Sequence, residues 1–189
     1  MRIPIEISAR HIHLSKEDLE KLFGADYELK KYKDLSQPRQ FAAEETVSLV
    51  GPEGKIEKVR VLGPCRDKTQ IEISKTEACK LGVNPPVCES GDLSGSASIK
   101  IVGPKGEVTL NEGVIIALRH IHLDPKTASK LGVKDNSRVK VDVDGVRDLI
   151  FENVVVRVRE DYRPAMHIDT DEANAAGIDS DNHFGKIII

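Results

Sequence analysis

The sequence predicts a mainly β fold of two related halves, each carrying small α-helices, with barrels favoured over an open βαβ sheet. Three observations predict it. The pentapeptide Arg10-His11-Ile12-His13-Leu14 returns as Arg119-His120-Ile121-His122-Leu123, about half a chain length later. The stretches VGPEGK (50–55) and VGPKGE (102–107) are sister turns, while residues 73–83, 120–133 and 167–178 share a strand, a cap, a two-turn helix and a Gly-aliphatic exit. Many short strands sit between turn signals, and no segment reads as the longer crossover helix that a parallel sheet needs.

Taken in order, Ile3, Ile5 and Ile7 alternate with Pro4, Glu6 and Ser8, a period-two strand that runs into the first His-Ile-His. Pro4 is tolerated near a strand start or edge. Ser15 reads as a helix N-cap with Asp18 in the capping-box position; Leu19, Leu22 and Phe23 form an apolar stripe that Gly24 closes. Residues 27–43 are charged and weakly patterned, and read as a loop. Strands at 46–50 and 56–62 flank a Gly-Pro-Glu-Gly turn as a hairpin. Residues 69–73 form a short strand, followed by a small helix with Thr76 as its cap and Gly82 as its stop.

Asn84-Pro85-Pro86 and residues 90–96 have irregular loop chemistry. A second hairpin pairs 99–102 with 107–110, and 114–118 is apolar on both sides, as a buried strand would be. That strand delivers the second His-Ile-His. Asp124 and Pro125 make an N-cap and N1 pair for a helix ending at Gly132. Val139, Val141 and Val143 alternate before the Asp144-Gly145 turn, with a partner strand running through Val158. A short strand at 165–168, a helix from Thr170 or Asp171 to Ala176, and a terminal strand at 186–189 complete the chain.

At 189 residues the chain is long enough for one domain or two small ones. A formal net charge of −3 gives no bulk attraction to nucleic acid or anionic membrane, and 4% aromatic residues with no Trp leave little for base stacking. Three cysteines without a C-x-x-C or a paired framework, and a start too short and charged for a targeting segment, read as reduced thiols of a soluble cytoplasmic protein. No apolar run approaches the roughly 18–20 residues of a membrane span.

The chemistry centres on the repeated His-x-His. Alternate side chains of a strand share a face, so each copy sets two imidazoles side by side, and imidazole is the commonest protein ligand for zinc and its neighbours. A single such pair also fits a half-exposed surface; two copies in corresponding places favour metal. His11, His13, His120, His122 and His167 are too many for one tetrahedral ion with an exchangeable position, and suit two ions if a carboxylate joins. Glu72, after the Gly63-Pro64-Cys65-Arg66 turn, is the best placed carboxylate, with an exposed strand residue as its other reading. Cys65 is the alternative ligand, or else a buried apolar thiol. His183, in the polar turn Asp181-Asn182-His183, reads as solvent-exposed. Arg66 has the shape to hold a phosphate oxygen pair, against a surface salt bridge. Arg10 and Arg119 share a face with the intervening Ile, and read as structural. The Ser90–Ser96 region (90–96) is weighed as a phosphate nest, with a plain surface turn favoured.

The stretches SARHIHLS, VLGPCRDKTQIEIS, LGVNPPVCESGDLSGS, ALRHIHLDPKTASKLGV and AMHIDTDEANAAG together resemble the PduL-type phosphate propanoyltransferases, the phosphotransacylases of propanediol-type bacterial metabolism. The resemblance spans essentially the whole chain. It implies two tandem β-barrels capped by small helices: a central barrel at 10–117, and a second built from 1–9 and 118–189. It implies two divalent ions, usually zinc, one held by His11, His13 and Glu72 and the other by His120, His122 and His167, in a site between the barrels. Arg66 matches the arginine that holds phosphate. The implied reaction converts a short-chain acyl-CoA, propanoyl-CoA foremost, and phosphate into acyl phosphate and coenzyme A. The expected partners are therefore acyl-CoA and phosphate, with no nucleic acid or membrane, in a homo-oligomer. Members packed in bacterial microcompartments often carry an amphipathic peptide before the first strand; this sequence starts at the strand, which fits either a freely cytosolic form or a sequence that lacks that segment, so the expectation is a cytoplasmic protein with microcompartment association left open. Rival readings are a non-catalytic metal-stabilised binding module and a metal-dependent hydrolase.

Overall fold

In the computed structural model, which describes residues 1–179 and 182–189, the chain opens with β1 (Arg2–Ile7), β2 (His11–Ser15) and α1 (Lys16–Phe23). There follow β3 (Lys31–Asp34), β4 (Phe41–Val50), β5 (Lys55–Arg66), β6 (Gln70–Glu72), α2 (Lys75–Leu81), β7 (Val87–Cys88), β8 (Ala97–Val102) and β9 (Glu107–Ala117). The remainder is β10 (His120–Leu123), α3 (Pro125–Leu131), β11 (Arg138–Val143), β12 (Leu149–Val158), β13 (Ala165–Ile168), α4 (Thr170–Ala176) and β14 (His183–Ile188). The chain divides into two units: Ala9–Ala117, and Met1–Ser8 with Leu118–Ile189.

Each unit closes a six-stranded ring. In the first the order is β4-β5-β2-β6-β9-β8, with β8 returning to β4, while β3 and β7 are appended to β4 and β9. In the second it is β11-β12-β10-β13-β1-β14, with β14 returning to β11. The two rings match strand for strand in direction. The histidine strand runs parallel to one neighbour (β5 or β12) and antiparallel to the other (β6 or β13). The latter then pairs in parallel with β9 or β1. A consequence is that the leading strand of each repeat is lodged in the other repeat's ring: β1 lies between β13 and β14, and β9 between β6 and β8.

Period-two alternation builds both cores. Ile12, Leu14, Val59, Val61, Ile71, Ile99 and Ile101 fill the first; Ile3, Ile5, Ile121, Leu123, Val139, Val141, Val154, Val156, Met166 and Ile168 fill the second. The isoleucine between each pair of histidines is fully buried. Ile12→Ala should therefore lower unfolding stability by about 2–5 kcal/mol, read as a shift of the urea midpoint.

Local capping follows the sequence for three of the four helices. Ser15 and Asp124 accept from the N3 amide as expected, and Asp169 caps α4 with a complete capping box. For α2 the cap is Ser74, not Thr76: its hydroxyl accepts from Glu77 N while the Glu77 side chain accepts from Ser74 N. The expected loop at 27–43 contains β3 and the start of β4. The two strands expected at 107–110 and 114–118 are one continuous strand, β9. His183 is half-buried and begins β14, opposite Ile5, rather than lying in an exposed turn; Asp181 of that turn lies outside the described residues. Phe41 stands opposite Gly63 in the β4–β5 pairing, and any Cβ at Gly63 would collide with the Phe41 ring. Among the described residues, no helix is long and apolar enough to cross a membrane.

Candidate metal centre

With Ile12 and Leu14 in the first core, His11 and His13 project from the opposite face of β2. The antiparallel register with β6 puts Glu72 across from His11 and Gln70 across from His13, so all four side chains share that face. In the second unit the same register sets His167 across from His120 and Ala165 across from His122. Donor atoms of His11, His13 and Glu72 all lie within 4.8 Å of one another. Glu72 Oε2 is 3.6 Å from His11 Nε2, close to the roughly 3.3 Å edge of a tetrahedron of ligands held about 2.0–2.1 Å from zinc.

In the second group the three rings also lie side by side. Ring centroids are 4.7 Å apart for His120 and His122, 4.8 Å for His122 and His167, and 5.3 Å for His120 and His167. Among the described residues, only the first group brings three donor atoms within 4.8 Å. Glu6, on β1 opposite His167, adds a carboxylate oxygen 3.5 Å from His167 Nε2.

The rings are oriented by backbone. His11 Nδ1 donates to Ala9 O at 2.9 Å and His120 Nδ1 to Leu118 O at 2.8 Å, so a neutral ring in either place presents Nε2 as a bare lone pair. Burial holds His13 and His122 neutral, pulling each pKa down to about 2, with the neighbouring histidine adding to the effect. A neutral, desolvated imidazole is the form that ligates metal. His122 Nδ1 is buried with no hydrogen-bond partner, a polar atom that a cation would satisfy. Two or three imidazoles with a carboxylate nearby suit zinc or a neighbouring divalent ion.

Arg66, at the end of β5 where the strand pairs with Ser15, places Nη2 2.8 Å from His13 Nε2. A guanidinium only donates, so it faces the lone pair of His13 Nε2, the pair that a bound ion would take in its place. Arg66 is half-exposed. Cys65 packs instead against the first core, where burial pushes its thiol up. His183 lies 3.3 Å from Asp179, in neither group. Arg10 and Arg119 pair with Glu77 and Glu172 at 2.9 and 2.8 Å. Both glutamates are the N3 residues of capping boxes, on the helices that follow Glu72 and His167. These arginines tie helix to strand, as expected of structural residues.

Sequence reasoning missed Gln70, Ser90 and Glu6. Gln70 carried a usable signal, since it alternates with Glu72 as His11 does with His13. Ser90 and Glu6 carried none: their positions depend on a loop folding back and on β1 pairing with β13.

Two closed barrels with matching histidine strands, one bearing a donor cluster spaced for a cation, define a duplicated double-barrel protein with a candidate metal centre. The profile of the phosphate propanoyltransferase family matches residues 4–179. A phosphate propanoyltransferase of Thermotoga maritima is 59% identical over 92% of this chain and 83% of its own length. Those of Clostridioides difficile and Shewanella putrefaciens are 53% and 52% identical, over 98% and 99% of this chain and 88% and 89% of theirs. The chain belongs to the phosphate propanoyltransferase family, and is an enzyme of the acyltransferase class.

Proposed function

We propose that this enzyme interconverts propanoyl-CoA and phosphate with propanoyl phosphate and coenzyme A with the help of two divalent ions, one held by each unit. His11, His13 and Glu72 would hold one ion, and His120, His122 and His167 the other. The observation that carries the reading is the His11–His13–Glu72 donor cluster with Arg66 against it. Bound zinc would supply Lewis acidity, polarising the thioester carbonyl and stabilising the departing thiolate.

The residues of the chain supply position. Phosphate is anionic at neutral pH and needs orientation more than deprotonation, which the planar fork of Arg66 provides. One phosphate oxygen attacks the thioester carbon; the C–O bond forms, the C–S bond breaks, and coenzyme A leaves as the thiolate. No side chain need be acylated. Backbone carbonyls at Ala9 and Leu118 keep the proton of His11 and His120 on Nδ1, away from the donor face.

The test is thiol release from propanoyl-CoA by the full chain. Release should require phosphate, cease after exhaustive chelation and return with zinc. Undiminished release from metal-free protein would overturn the metal centre. Phosphate-independent release would point to a hydrolase instead, and no release at all to a binding module.

A further inference from the structure

Glu72 does not stand alone on its strand. Its Oε1 accepts from Gln70 Nε2 at 2.7 Å and from Ser90 Oγ at 2.7 Å, while Oε2 is the oxygen that faces His11. Gln70 Nε2 also donates to Ser90 Oγ at 2.9 Å, and Gly91 N donates to Gln70 Oε1 at 2.9 Å. The backbone amide of Gly91 can only donate, so it fixes which end of the Gln70 amide is oxygen and turns the NH2 toward Glu72. Every donor in this chain of bonds has one direction, and it ends on the Glu72 carboxylate. Gln70 is 2% exposed, so the amide is withdrawn from water and its bonds are strengthened.

The internal duplication supplies a comparison. Across from His122, the position matching Gln70 is Ala165, and the ligand position matching Glu72 is His167. An imidazole ring donates through one nitrogen whatever surrounds it, whereas a carboxylate swings between one-oxygen and two-oxygen donation. The clamp occurs in the unit whose third donor is a carboxylate, and its counterpart position in the other unit is a methyl group.

Resting on the metal-centre reading above, we infer that Gln70 and Ser90 are positioning residues that hold Glu72 to one-oxygen donation. They tie the loop around Ser90 and Gly91 to the first ion and keep one of that ion's coordination positions free for substrate. The loop that reads as a plain turn in sequence is thus part of the metal centre's support.

The test uses the full chain, stripped and titrated with Co2+ against a chromophoric chelator, with the visible band intensity reporting coordination number. Gln70→Leu and Ser90→Ala should each weaken one class of site about 10–100-fold, the usual cost of losing such a support. The band of that site should fall toward five-coordinate intensity as Glu72 becomes bidentate. Ser90→Thr, which keeps the hydroxyl, should restore both. In a Glu72→Ala background, Gln70→Leu should have no further effect on metal affinity. Unchanged Co2+ affinity and spectrum in both variants, with or without a lowered melting temperature, would overturn the inference and leave the metal centre intact. Failure of the unmutated chain to bind Co2+ would overturn the metal centre itself, and this inference with it.

Discussion

His11→Ala is expected to abolish acyl transfer and to lower the metal bound by the purified protein. His11 gives one of three clustered donors, its Nδ1 is committed to Ala9 O, and its Nε2 sits 3.6 Å from Glu72 Oε2. Without it, two donors remain where zinc sites of either kind use at least three. Lewis-acid stabilisation of developing charge is worth several kcal/mol, so a loss of about a thousandfold or more in kcat/KM follows. His120→Ala should act similarly through the second group. Elemental analysis beside the thiol-release assay checks both; full activity in either variant would remove that histidine from the centre. Because both histidines leave the face opposite the buried isoleucines, unfolding midpoints of the metal-free variants should stay close to the parent value.

Arg66→Ala should fall on phosphate rather than on the thioester. The side chain meets His13 Nε2 through Nη2 and is half-exposed, and the planar guanidinium matches a pair of phosphate oxygens. Charge-assisted bonds of this kind contribute about 1.5–3 kcal/mol, which predicts a phosphate KM raised by about 10–100-fold with the acyl-CoA KM little changed. Arg66→Lys should recover part of the loss, since it restores the charge but not the planar pair of donors. Equal damage to both substrates, or unchanged phosphate kinetics, would refute the assignment. Metal content should be retained in Arg66→Ala, which separates this effect from loss of the ion.

Much of this architecture was legible because it is written locally. His-x-His flanked by aliphatics states both a strand and its two faces, and Ser15, Asp124 and the glycines at 82, 132 and 177 state helix ends within a few residues. The histidines and Glu72 could be nominated from that pattern together with the resemblance, and the structure brings three of them within ligand spacing. What the sequence hid depends on distant pairing. β3 is exposed at every residue and charged at three of four, so it has no apolar period; only its ladder with β4 makes it a strand. β9 continues through Asn111, Glu112 and Gly113, residues that read as a break, because they form a bulge in the ladder with β8 between the Leu110 and Val114 pairings. Ser90 reaches Glu72 across 18 positions, with no local cue.

The lodging of β1 beside β13 and β14 has a consequence for biosynthesis. β1 leaves the ribosome before β13 and β14, the strands it pairs with, have been made, and the ring containing β2 cannot shut until β9 has emerged. Contacts of such long sequence separation are slow to form. A nascent chain therefore carries an unpaired apolar strand, Ile3-Pro4-Ile5, until β13 and β14 have been made, with Pro4 blunting its edge against pairing with a neighbour.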